Sequence, residues 1–228
     1  MSFLHLDPPG HRQLREEIIT TALKMNASGI NQGKSGNVSA RLNAAGDFLI
    51  TPTGVEYDRL RVESIVEVHA DGSHVGPLLP SSEWRFHRDI YAAREDLSGI
   101  VHTHSAYATS LAVHGRSIPA FHYMIAATGG HDIPCAPYET FGTQALSDSV
   151  VAALRDRQAC LMAHHGMIAC GKDLARAIAL AVEVETLSQM YWQALQMGEP
   201  PLLDRAEMDR VIDKFRTYGQ QPGKTDTT

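Results

Sequence analysis

The order of short apolar runs and amphipathic segments is the feature of this 228-residue chain that most constrains its fold. Short apolar or alternating runs bounded by turn residues predict strands, at residues 38–42, 47–51, 66–68, 74–75, 98–104 and 159–163. Apolar residues at helical spacing predict helices, at residues 11–28, 82–94, 106–114, 142–156, 174–197 and 206–215. Because strands outnumber those of a simple βαβ repeat, the pattern predicts an α/β protein with a mixed sheet covered by helices.

Charge and composition indicate which kind of molecule the protein binds and where it is expected to occur. The formal charge is −6 and basic residues are scattered, which argues against nucleic acid and favours a small molecule. The chain has 3 cysteines without a C-x-x-C spacing, so neither a disulfide framework nor a cysteine zinc site is predicted. No signal peptide or membrane span is recognisable, and we expect a cytoplasmic protein with a single domain over residues 1–219 and a disordered tail over 220–228.

Two histidines close one predicted strand. His102 and His104 follow the apolar residues Ile100 and Val101, and alternation along a strand aims both imidazoles at the same face. Such a pair can bind zinc, which needs three protein ligands in a catalytic site. Because a chain with 12 histidines produces this spacing by chance, the pair alone is weak evidence.

The chain offers further candidates for a metal site near the ends of other predicted elements. Glu83 lies in the predicted first turn of the helix that Ser81 or Ser82 would cap, where an acid is also explained by the helix dipole alone. His164 and His165 end the strand over residues 159–163, and only one of them should face the metal. The residues themselves leave that choice open.

Three segments could hold an anion. The glycine-rich loop over residues 31–37, the Thr53-Gly54 turn and the serines before Glu83 each offer backbone N–H groups or hydroxyls. Any one of them alone is equally well explained as an ordinary turn. Together with a metal motif, they predict a phosphorylated substrate.

Long runs over nearly the whole chain resemble the class II aldolase/adducin family. They include Pro80-Ser81-Ser82-Glu83 and Val101-His102-Thr103-His104. The complete set covers residues 30–33, 36–39, 49–54, 79–87, 101–104, 117–127, 133–138, 141–143, 164–166 and 214–219. The resemblance implies a three-layer α/β/α fold with a central mixed, largely antiparallel sheet.

The same resemblance implies a role for each site residue. His102, His104 and His165 would bind one Zn²⁺ per subunit, with Glu83 as acid/base and as a metal ligand when substrate is absent. The phosphate pocket would consist of Gly36, Asn37, Thr53, Gly54, Ser81 and Ser82. Tyr123 would exchange a proton on the aldehyde side, across a subunit boundary of a homotetramer, and Tyr218 would shape that side.

The activity that the resemblance implies is reversible cleavage of a ketose 1-phosphate, such as L-fuculose 1-phosphate, to dihydroxyacetone phosphate and a short aldehyde such as L-lactaldehyde. Alternatives on the same metal frame are decarboxylation of a 3-oxo-tetronate 4-phosphate, dehydration of a thioribulose phosphate and pentulose-phosphate 4-epimerisation. The last is disfavoured because His122-Tyr123 stands where the epimerase has an acidic residue. A non-catalytic interaction module like the adducin head is a further alternative. Lys34 departs from the small hydroxyl residue of the family's phosphate loop, so its contribution to substrate binding stays open.

Overall fold

A single mixed sheet organises the protein, whose computed structural model describes residues 10–215. Tyr218 and the tail over residues 220–228 lie outside the described residues. The strands of the described part are β1 (Asn37–Arg41), β2 (Phe48–Ile50), β3 (Val66–Val68), β4 (His74–Val75), β5 (Gly99–Thr103), β6 (Cys135–Ala136), β7 (Ala159–Met162) and β8 (Gly166–Gly171). Their order across the sheet is β4-β3-β2-β1-β5-β8-β7-β6. Every neighbouring pair is antiparallel except β6 and β7, so the predicted mixed, largely antiparallel sheet is confirmed.

Helices cover both faces of this sheet. Those described are α1 (Arg12–Ala27), α2 (Trp84–Ala93), α3 (Ala106–Val113), α4 (Gln144–Ala153), α5 (Leu174–Leu195) and α6 (Arg205–Phe215). Alternate strand residues enter different cores: Val101 packs with α1, α3 and α5, whereas its neighbour Ile100 packs with α2 and α4. Since a strand sends successive side chains to opposite faces, this gives the three-layer α/β/α arrangement that the resemblance implied.

The start of α2 differs from the sequence prediction. Neither Ser81 nor Ser82 caps this helix, because Glu83 is its N-cap and the first helical residue is Trp84. The preceding segment stays extended because the backbone N–H of Ser81 donates to the Thr51 carbonyl, and that of Thr53 donates to the Leu79 carbonyl. Glu83 therefore lies at the N-cap of α2, immediately before its first turn, and not inside that turn.

Five elements were not predicted. They are β6, β8 and the 3-10 helices at Tyr57–Arg59, Val62–Ser64 and Tyr123–Thr128. The missing prediction of β8 matters most, because β8 pairs with the whole length of β5, the strand that carries His102, and supports it from one side. No helix within residues 10–215 combines the length and the apolar character that a membrane crossing requires.

Candidate functional site

Four side chains from separate elements meet at one end of the central strands. Glu83 comes from the start of α2, His102 from β5, His104 from the residues after β5, and His165 from the β7–β8 turn. One ligand atom from each residue lies within 4.8 Å of every other. The predicted histidine pair and the predicted carboxylate are therefore adjacent in space.

The spacing of these atoms fits a tetrahedral metal. The Nε2 atom of His102 lies 3.1 Å from Nε2 of His104 and 3.2 Å from Oε2 of Glu83. The other Glu83 oxygen, Oε1, lies 3.1 Å from Nε2 of His165. Zinc–nitrogen bonds of about 2.0–2.1 Å would put tetrahedral ligands roughly 3.3 Å apart. Oε1 is also buried without a hydrogen-bond donor among residues 10–215, as expected for an atom whose partner is a cation.

A hydrogen bond at Nδ1 orients the buried imidazole of His102 so that its other nitrogen, Nε2, can bind a metal. Nδ1 of His102 lies 2.9 Å from the carbonyl oxygen of Met167 on β8. That carbonyl can only accept, so Nδ1 carries the proton and the Nε2 lone pair faces the cluster. The β5–β8 pairing thus sets the tautomer of this imidazole.

The choice between His164 and His165 is resolved by the turn that contains both. His164 adopts a left-handed backbone conformation with φ 55°. Its ring is edge-on to that of Tyr138, with the two ring centroids 5.8 Å apart. Its backbone N–H donates to the Ala112 carbonyl, while that of His165 donates to the Met162 carbonyl. His165 therefore enters the cluster, and His164 lies on the wall of the adjoining cavity.

Charge in the cluster is held on the carboxylate. Burial alone would raise the pKa of Glu83, but the imidazoles of His102 and His165 hold that pKa well below its usual range. The His104 imidazole faces the cluster although the residue is partly exposed. Desolvation, followed by the neighbouring imidazoles, lowers the pKa of His104 to about 4. An ionised carboxylate beside a neutral imidazole is a suitable ligand set for a divalent cation.

The loops predicted to bind phosphate are linked to one another beside the cluster. The Lys34 ammonium donates to the Gly54 carbonyl at 3.3 Å and lies 3.5 Å from the Glu56 carboxylate. The Ser81 hydroxyl accepts from the backbone N–H of Glu83 at 3.3 Å, and an isolated bridge joins Pro52 to Pro80. The Asn37 side chain donates to Glu83 at 3.0 Å. Lys34 therefore bridges two of the candidate loops.

A cavity of about 420 Å³ opens onto the cluster. Its lining consists of Ser35, Ser82, Glu83, His104, Tyr138, Glu139, Phe141, His164 and His165. No motif or spacing in the sequence marks Ser35, Tyr138, Glu139 or Phe141 individually as a site residue. Tyr138 and Phe141 lie in an irregular segment, where sequence periodicity gives no information. Their side chains are 58% and 66% exposed, and this exposure of large aromatic rings becomes visible only when the fold is known.

Tyr123, one of the two tyrosines predicted for the aldehyde side, is not part of this cluster. Tyr123 lies in the 3-10 helix at Tyr123–Thr128 and is half exposed. It lines a second cavity with α6 residues that include Lys214 and Phe215. The position of Tyr218 falls outside the described residues.

Comparison with known proteins gives a consistent result over most of the chain. Residues 16–192 match the profile of the class II aldolase and adducin N-terminal domain. A 5-methylthioribulose-1-phosphate/5-deoxyribulose-1-phosphate aldolase of Rhodospirillum rubrum is 52% identical over 213 residues, which cover 92% of this chain and 95% of the relative. An L-fuculose phosphate aldolase of Escherichia coli K12 is 49% identical over 208 residues, covering 91% and 96%. A solved L-fuculose 1-phosphate aldolase superposes with a TM-score of 0.87 at 34% identity, covering 91% of this chain and 100% of that one.

Proposed function

The chain belongs to the class II aldolase and adducin family, and on that premise we propose that it is a zinc-dependent aldolase. Its reaction is the reversible cleavage of a ketose 1-phosphate to dihydroxyacetone phosphate and a short aldehyde. The observation that carries this proposal is the buried Glu83 carboxylate among three imidazoles at the floor of the cavity. That arrangement supplies both a metal site and a base in one place.

The metal would be held by His102, His104, His165 and Glu83. Three neutral imidazoles and one carboxylate suit zinc, with one ion in each subunit. When bound, the ion would act as a Lewis acid that draws electron density from the substrate carbonyl. No lysine Schiff base is then required.

The side chains of this chain move the protons. In cleavage, Tyr123 relays the C4 hydroxyl proton to water as the C3–C4 bond breaks and the aldehyde departs. Glu83 takes up one proton from water and delivers it to C3 of the dihydroxyacetone phosphate, which returns Glu83 to the carboxylate and leaves no net change in protons. Condensation runs in reverse. Tyr218 would shape the aldehyde side.

The phosphate would be held by Gly36, Asn37, Thr53, Gly54, Ser81 and Ser82. Support comes from the contacts that draw their loops together, in particular the Lys34 ammonium at the Gly54 carbonyl. That ammonium adds a positive charge at the edge of the pocket, where a phosphate dianion would benefit from it.

The aldehyde portion of the substrate is expected to end in an apolar group. Tyr138 and Phe141 present exposed rings at the cavity wall, where a methyl or methylthio group could pack. The relatives are named for 5-methylthioribulose 1-phosphate, 5-deoxyribulose 1-phosphate and L-fuculose phosphate, all of which end in a methyl group. We propose that the natural substrate is a ketose 1-phosphate of this kind.

The decisive experiment measures dihydroxyacetone phosphate release from these three substrates, with and without a chelator. Activity on at least one, abolished by chelation and restored by zinc, is expected. A Glu83→Gln variant should retain much of its zinc and lose about 10²- to 10⁴-fold in kcat, the usual size of a general acid–base contribution. Wild-type-like turnover in this variant would refute the role of Glu83. Inactivity on every ketose 1-phosphate, with carbon dioxide released from a 3-oxo-tetronate 4-phosphate, would favour the decarboxylase.

The active site is proposed to be completed by a neighbouring subunit of a homotetramer. The separation of Tyr123 from the Glu83 cluster within one chain supports this arrangement, because the two line different cavities. Tyr123→Phe and Glu83→Gln subunits, each nearly inactive alone, should regain activity when they are mixed and reassembled. Absence of recovery in verified hybrid tetramers would contradict a shared site.

A further inference from the structure

A chain of buried polar side chains runs from the Glu83 carboxylate into the layer between the sheet and α2. Asn37 Nδ2 donates to Glu83 Oε2 at 3.0 Å, and Asn37 Oδ1 lies 2.5 Å from His87 Nε2. The chain continues from His87 Nδ1 to the Ser39 hydroxyl at 2.7 Å and from there to the Tyr91 hydroxyl at 2.8 Å. At most 2% of each of the four residues beyond Glu83 is exposed.

The carboxylate determines the direction of every hydrogen bond in this chain. An ionised Glu83 can only accept, so the Asn37 amide must present its NH₂ group to it and its oxygen to His87. His87 must then carry its proton on Nε2, which leaves Nδ1 to accept from Ser39. The Ser39 oxygen in turn accepts from Tyr91. All donors therefore point towards Glu83.

Glu83 and His87 together fix the Asn37 amide in this orientation. With the amide reversed, its oxygen would face the Glu83 oxygen at hydrogen-bond distance, and two acceptors would repel each other. The Nε2 proton of His87 prevents the reversal by satisfying Asn37 Oδ1. His87 itself is uncharged, since burial, followed by the neighbouring His102, lowers its pKa to about 3.

We propose that His87 is a positioning residue for the metal and proton-transfer site: through Asn37 it holds an amide donor on Glu83 and so fixes the orientation of that carboxylate. His87 touches neither substrate nor metal, and its effect is exerted entirely through the Asn37 amide. The inference rests on the proposed function, because it assigns a task to the surroundings of the proposed zinc ligand. Supporting groups behind a ligand commonly change metal affinity by about 10- to 100-fold.

Two substitutions that differ by one methylene test the proposal. In His87→Gln the side-chain NH₂ group reaches the position of Nε2 and can still donate to Asn37. In His87→Asn the amide reaches only the position of Nδ1, so the contact with Ser39 survives and the contact with Asn37 is lost. Ser147→Ala is the stability control, because it removes another hydrogen bond to α2, from the buried Ser147 hydroxyl to the partly buried Asp89 at 2.6 Å, away from Asn37.

The measurements are zinc affinity of the chelator-treated full-length protein, by competition with a zinc-binding dye, together with kcat and the melting temperature. We expect His87→Asn to bind zinc about 10- to 100-fold more weakly and to lose kcat at saturating zinc, while His87→Gln stays within about threefold of wild type. Ser147→Ala should lower the melting temperature alone. Equal zinc affinity and kcat in the Asn and Gln variants would overturn the proposal. If the wild-type protein itself bound no zinc, the proposed function would fail instead.

Discussion

Adding one methyl group at Gly166 should weaken both the fold and the proposed zinc site. Gly166 begins β8, directly after His165, and pairs with Met162. A Cβ atom at this position would collide with the Thr103 carbonyl oxygen and lie 2.9 Å from Cδ2 of His104. The carbonyl belongs to the sheet and cannot turn away, so β5 and β8 must separate at the end that carries the ligands.

The size of the effect follows from this overlap. Overpacking by one methyl group costs about 1–3 kcal/mol, which for a chain of this length lowers the melting temperature by roughly 2–12 °C. Zinc at about 1,000 times its dissociation constant adds about 4.1 kcal/mol of stability. If the displaced His104 weakens binding about 100-fold, the same zinc concentration adds only about 1.4 kcal/mol. Gly166→Ala should therefore lose most of the stabilisation that zinc gives to the wild-type protein.

Gly171→Ala is the matched control for this prediction. Gly171 ends the same strand, and a Cβ atom there would lie 2.7 Å from the Ala177 backbone nitrogen, far along β8 from the ligands. Both variants should melt at lower temperature without zinc in a calorimetric scan, but only Gly166→Ala should show a reduced zinc-dependent increase. An equal zinc-dependent increase in the two variants would refute the link between strand spacing and metal binding.

Two further predictions concern Lys34 and His87. Because the Lys34 ammonium at Gly54 is half exposed, its charge is worth no more than about 1 kcal/mol. Lys34→Gln should accordingly raise KM for the ketose 1-phosphate and the inhibition constant for inorganic phosphate by about two- to fivefold. If KM and the inhibition constant of Lys34→Gln were unchanged at low salt, Lys34 would only join its loop to the one that contains Gly54 and would not contribute to phosphate binding. Between pH 6.5 and about 3, His87 is protonated only in the unfolded state, because its pKa is about 3 when folded and about 6.5 when unfolded. As the pH falls through this window, His87 should lower the stability of the zinc-free protein by up to about 1.4 kcal/mol per pH unit. Urea titrations of His87→Gln should lack that component, and an unaltered slope would contradict a neutral buried ring.

The part of the site that could be predicted from sequence depends on local geometry. His102 and His104 are placed on one face by the two-residue period of a strand, which needs no knowledge of the rest of the fold. At His164 and His165 the same rule predicts only that one of the two faces the metal, as His165 does, and it cannot choose between them, because both lie in a turn and His164 takes a left-handed conformation. The family resemblance identified His165, and the structure shows the backbone geometry that brings it to the cluster.

Contacts between distant segments account for what the sequence did not reveal. His87 and Asn37 are 50 residues apart, and nothing in the periodicity of α2 distinguishes a histidine that supports the site from one that fills the core. Likewise, β8 became recognisable as the support of His102 only once its register with β5 was known. Tyr57, whose hydroxyl donates to the Gly36 carbonyl, is buried for a similar non-local reason.

Gly36 illustrates how the structure changes the explanation of a residue that the sequence had marked. A glycine-rich loop is usually explained by the freedom of glycine to adopt left-handed conformations, and Gly33 does so with φ 58°. Gly36 has a different reason to lack a side chain, because a Cβ atom would collide with the His102 carbonyl oxygen. On the other side of β5, Gly166 is constrained in the same way by the Thr103 carbonyl. The end of the ligand strand is thus held between two glycines, so close packing of three backbone segments, rather than loop flexibility, sets the spacing of the histidines.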